Sequence, residues 1–135
     1  MKGKSKKVKI LLKFYFNADP LNDWLDRLIT YNACKTEGGD FVRVTDLIED
    51  KQRLCNLMSY LESRFEMLTA EDRAALKKYS ALRVSIKKLE DVERREIKRA
   101  VMKFDRKLTY IDRHKEEVAA LSKYRAILNC PPNMS

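Results

Sequence analysis

Apolar residues recur three and four positions apart along most of this chain, which is the spacing that gives a helix one buried stripe. Leu21, Trp24, Leu25, Leu28, Ile29 and Ala33 form the first such stripe. It predicts a helix from Asp19 to about Cys34, with Pro20 at the first helical position, where its missing N–H costs nothing. Gly38-Gly39 then makes the clearest break, in a turn over Lys35–Asp40. Phe41–Val44 reads as a short connector, and Thr45 or Asp46 as the cap of a second helix, Asp46 and Glu49 resembling a capping box. Leu47, Ile48, Leu54, Leu57, Met58, Leu61, Phe65 and Leu68 are its inward positions, with Cys55 packing beside them.

Thr69 and Asp72 form a second capping box, opening a helix to about Tyr79 with Ala75, Leu76 and Tyr79 inward. Ser85 can cap a short helix from Ile86 to about Asp91, and Val92 sits at a turn. A final helix begins near Glu93, with Ile97, Val101, Phe104, Leu108 and Ile111 inward; a related face continues through Val118, Leu121 and Leu128 to the stop at Pro131-Pro132. The run Val8–Phe16 is rich in aromatic and β-branched residues and fits either a strand or a helix. No partner strand is apparent, so helix is favoured.

From Asp40 to Cys130 there is neither Gly nor Pro, which demands a nearly all-helical reading with tight polar turns. The expected architecture is all-α: a helical bundle with a C-terminal helix-turn-helix-like unit and a long last helix. Residues 1–7 are expected as a disordered basic tail and 8–135 as a single helical domain, with the helix-turn-helix-like unit at 68–108. A last helix of roughly 35 residues would run about 50 Å, too far to bury one face on so small a bundle. It either bends near Asp112–His114 or packs its distal part on a second copy. The 3.5-residue spacing favours the second, a homodimer.

Charge changes the picture. The net charge is +9, unevenly placed: residues 1–13 carry +6, 14–82 carry −3, 83–107 carry +5 and 108–135 carry +1. Two basic patches separated by an acidic stretch suit a polyanion such as nucleic acid, or equally a solvated helix face with a solubilising tail.

Other chemistry finds no footing in the sequence. Cys34, Cys55 and Cys130 are scattered without a C-x-x-C pair, and His114 is the single histidine, so no zinc set assembles. Phosphate-loop, nucleophile-elbow and zinc-protease motifs do not occur. The apolar run behind the Lys-rich start is short, is interrupted by Lys13 and lacks a cleavage site, so no signal peptide is expected. No window is apolar enough to span a bilayer. The expectation is a non-enzymatic protein without cofactors or membrane partners, in a reducing cytoplasm.

The 68–108 segment reads as two short helices and a longer one whose first turns are basic. That is what a helix-turn-helix needs to lay a helix in the major groove. Leu68-Thr69-Ala70-Glu71-Asp72-Arg73 with Tyr79, then Ile86, Val92, Ile97, Arg99 and Lys107-Leu108, resembles region 4 of bacterial primary sigma factors. It is still more similar to the RinA and ArpU type of phage late transcription activators. Lys87 and Asp91 replace the Ala and Gly usual in that pattern, Leu89 falls one position early, and Glu93 stands where Ser commonly caps the recognition helix. The resemblance implies a phage or prophage regulator that binds double-stranded DNA and works with RNA polymerase or another host protein.

With Ile97, Val101 and Phe104 inward, Arg94, Arg95, Lys98 and Arg99 project from the other faces of the last helix. Arg can pair with guanine, and both Arg and Lys can meet phosphate, a task for which the helix N-terminus is also suited. Lys87, Lys88, Lys103 and the Lys-rich tail would add non-specific, salt-dependent affinity. Glu93 and Glu96 would repel phosphate or else accept from a cytosine amino group. The alternative is a small helical protein-interaction module, such as a phage-encoded inhibitor or a small subunit of a nucleoprotein assembly.

Overall fold

The computed structural model describes residues 2–34, 41–82 and 85–129. The fold is all-α, with no strand among the described residues. Its helices are α1 (Lys2–Phe16), α2 (Ala18–Ala33), α3 (Phe41–Phe65), α4 (Ala70–Ala81), α5 (Asp91–Lys107), α6 (Lys115–Leu121) and α7 (Arg125–Asn129), with 3₁₀ turns at Ile86–Lys88, Ile111–His114 and Ser122–Tyr124.

Several expected boundaries shift. α1 begins at Lys2, so the stretch expected as a disordered tail is helical: Lys is a good helix former, and Gly3 falls in the first turn. α2 starts at Ala18 behind Asn17 as N-cap, which puts Pro20 third in the helix, still among the orphan N–H positions. α3 already starts at Phe41, so Phe41–Val44 is not a connector, and Thr45 and Asp46 lie inside the helix and cap nothing. Nothing in that stretch breaks a helix; β-branched Val42, Val44 and Thr45 lower propensity only slightly. The Gly38-Gly39 turn lies outside the described residues.

The last helix is also not one rod. α5 stops at Lys107, and Tyr110 takes a left-handed conformation (φ 64°) before Ile111. The break falls a few residues before the bend considered at Asp112–His114. The homodimer expectation rested on a single helix of about 50 Å, and that premise no longer holds.

The chain divides into two compact units, each assembled from separate stretches: residues 1–16 with 60–111, and 17–59 with 112–135. In the first unit α1 packs on α4 and α5, and α4 packs on α5. Val8, Leu11, Leu12, Phe14, Leu61, Phe65, Leu76, Ile97, Ala100 and Phe104 are buried there. Phe65 is the hub: its ring stacks on Tyr15 at 4.2 Å and meets Phe16 and Phe104 edge-on at 5.5 and 5.1 Å. Tyr15 also donates to Glu62 (2.7 Å), and burial followed by that bond pushes its phenol up to about 12. Lys9 donates to the carbonyl of Leu82 (3.1 Å) and lies over the Tyr79 ring, a cationic cap on the carbonyl end of α4. Burial, then the neighbouring Lys13, holds the Lys9 ammonium below its ordinary range.

In the second unit Leu21, Leu25, Leu47, Leu54, Leu57, Leu121 and Leu128 are buried. Ala33 and Ile48, placed inward from the sequence, and Cys55, expected to pack beside its stripe, are exposed. The three fall at the edges of their stripes, where helical spacing alone does not separate buried from flanking positions. Asp50, 1% exposed, and Asn32 are buried exceptions to the apolar rule, and Asp50 is the charged one. Tyr124 donates to it at 2.5 Å, Lys123 and Arg53 each at 2.7 Å.

Candidate nucleic-acid interface

The helix-turn-helix-like stretch opens as its sequence indicates. Thr69 accepts from the Asp72 N–H at 3.1 Å, and the Asp72 carboxylate accepts from the Thr69 backbone in return. Burial pushes the Asp72 carboxyl upward, but Lys103 and Thr69 outweigh it and leave the group below the usual range. Beyond α4 the chain departs from the expectation. Ser85 does cap a turn, accepting from the Lys87 N–H at 3.3 Å, but the second helix is one 3₁₀ turn, Ile86–Lys88. The chain turns extended at Leu89 and enters α5 two residues before Glu93, with Glu90 at the N-cap.

α5 buries Ile97, Ala100 and Phe104; Val101, expected inward, is half-buried. The opposite line is Val92, Arg95, Arg99, Met102 and Arg106, at alternating intervals of three and four, and all five are exposed. Lys98 is exposed beside that line. Arg95, Lys98, Arg99 and Arg106 form no ion pair among the described residues. Their charge is solvated and open to a ligand.

The remaining candidates divide. Lys87 and Lys88 are exposed on the 3₁₀ turn that leads into α5. Arg94, on the flank, is bound to Asp91 one turn back, and Lys103 is bound to Asp72 at 3.1 Å, so both are committed within the protein. Arg106 was missed by sequence reading, which fixed on the basic first turns. The available signal was its position seven residues after Arg99 on the same helix line.

The N-terminus of α5 does not serve as a phosphate site. Glu90, Asp91 and Glu93 occupy its cap and first turn and meet the helix dipole internally. A cleft of about 370 Å³ between α4 and α5 extends this acidic character, with Glu71, Asp72, Glu93 and Glu96 on its walls against Lys78 and Arg99. Glu96 and Arg99 both line that cleft, so Arg99 stands at the border between it and the outward line. The unpaired cations of α5 therefore lie on its outward face from Arg95 onward, with Lys87 and Lys88 at its edge.

Charge at the larger scale agrees. The two basic stretches, remote in sequence, fall in the same unit: residues 1–16 and 60–111 together carry +11, and the other unit carries −2. No histidine, cysteine and carboxylate cluster able to hold a metal occurs among the described residues, and none of their helices is long and apolar enough to cross a membrane. Comparison with family models, curated proteins and solved structures finds no match to this chain.

Proposed function

We propose that this protein is a DNA-binding transcriptional regulator of phage or prophage type, acting in the cytoplasm of a bacterial host and meeting duplex DNA with the outward face of α5. One observation carries the reading. The chain's excess positive charge collects in one unit, whose α5 presents Arg95, Lys98, Arg99 and Arg106 unpaired on its solvent side. Lys87 and Lys88 extend the same surface. In this reading Arg95 and Arg99 pair with guanine edges, and Lys98, Arg106 and the 3₁₀ lysines meet phosphates.

A second reading, a protein-interaction module, draws on the reduction of the middle helix to one 3₁₀ turn and on the exposure of Val92 and Met102. The two separate in one experiment. Fluorescence anisotropy on random-sequence duplex, from roughly 50 to 300 mM salt, is expected to show affinity that falls steeply with salt. Arg95→Glu/Arg99→Glu should weaken binding at least about tenfold at the lowest salt and flatten the slope. A folded wild-type protein that binds no duplex at about 50 mM salt overturns the DNA reading and favours the protein partner.

A further inference from the structure

The outward line of α5 is not uniformly basic. Val92, 67% exposed, and Met102, 47% exposed, bracket Arg95 and Arg99 on it. Met102 lies one turn from Lys98, Arg99 and Arg106, with Asp105 the one acidic neighbour at that distance: an apolar side chain set mainly among unpaired cations. A ligand matched to this face has to offer acceptors for guanidinium groups between two apolar points. Phosphate backbone supplies only the acceptors. The major-groove edge supplies both: O6 and N7 on guanine, and the C5-methyl group on thymine, the one apolar feature of the groove.

We propose that Val92 and Met102 read thymine C5-methyl groups flanking guanines read by Arg95 and Arg99. The inference rests on the proposed duplex binding and deepens it from binding to sequence choice. The spacing is compatible. Val92 and Met102 are ten residues apart, about 15 Å along the helix axis, or roughly four base-pair steps at about 3.4 Å. Arg95 and Arg99 lie about 6 Å apart between them, roughly two steps. The two apolar contacts differ in kind: Val is stiff at χ1 and fixes one methyl position, while the flexible Met thioether adapts to its neighbour. Val92 stands in the first turn of α5, where packing on α4 could have claimed it; instead it is open to solvent and joins the Arg95 line.

The test uses the full chain. Duplexes enriched by wild-type protein from a random library are resynthesised with deoxyuridine for thymine, which removes the methyl and leaves pairing intact. Wild type is expected to lose about fourfold in affinity per contacted methyl. Val92→Ser/Met102→Gln should bind the thymine duplex more weakly and no longer distinguish it from the deoxyuridine duplex. Both positions are exposed, so the fold does not depend on them. Equal binding of thymine and deoxyuridine duplexes by wild type, with a steep salt slope retained, overturns this inference and leaves the DNA reading standing. A library that yields no consensus does the same. Absence of any duplex binding, as for a face that takes an acidic helical protein, overturns both.

Discussion

Asp50 shows how a single residue fastens a terminal stretch of chain. Its carboxylate is almost fully buried in the second unit, and it receives Tyr124 and Lys123 from the far end of the sequence and Arg53 from its own helix. Burial alone would push the carboxyl up; the three donors more than reverse that and hold it below the ordinary carboxylate range. The folded carboxyl thus holds its proton less tightly than the unfolded one. Its contribution is complete above the unfolded value near ~3.9 and is lost as pH falls through the lower folded value. Asp50→Asn keeps an acceptor for the Tyr124 hydroxyl but releases both cations, which are themselves partly solvated. The expected cost at neutral pH is about 1–3 kcal/mol. Urea unfolding of wild type and variant at pH 7 and near pH ~3 checks this, since the difference should shrink in acid. An equal difference at both values would remove the ionised carboxylate from the account. In the sequence Asp50 is one acid among many on α3 and gives no sign of this role, because two of its three partners arrive from more than seventy positions away.

At the level of elements, the helical class was legible and one stop was not. Runs of good helix formers without Gly or Pro admit little besides helix, and the Thr69–Asp72 box was readable because both partners lie within one turn. The end of α5 carries no comparable mark: Thr109 and Tyr110 are not the Gly or Asn that usually take left-handed φ. The turn is supported from elsewhere, the Tyr60 hydroxyl donating to the Thr109 carbonyl, a bond no local pattern announces. Loss of the long helix in turn removed the argument for a second copy. If the left-handed backbone at Tyr110 is strained, then Tyr110→Gly should be more stable than Tyr110→Val by about 1–2 kcal/mol. Both variants discard the ring, so its contacts cancel from the difference, and glycine's larger unfolded-chain entropy works against the expected order. Thermal or chemical melts of the pair measure it, and equal stability would place the strain elsewhere.

On the scale of the whole molecule, charge is partitioned and the partition can be read out in salt. The sequence displayed two basic stretches but could not say that they join one unit, because that depends on α1 packing against α4 and α5. Nor could it tell which cations are spent: Arg94, Lys103 and Lys9 carry internal partners, whereas Arg95, Lys98, Arg99 and Arg106 do not. Counterion release makes the slope of log affinity against log salt fall by roughly one for each phosphate contact removed. Lys98→Glu and Arg106→Glu should therefore each flatten the slope by about one or slightly more. Arg27→Glu and Lys115→Glu change the net charge equally, but on exposed sites of the unit that carries −2. If affinity follows total charge, all four reversals act alike. If it follows the α5 face, the first two lower affinity and slope together and the last two leave the slope unchanged. The second pattern is expected, since screening at about 0.15 M salt confines each charge to within about 8 Å and lets only the residues at the interface count.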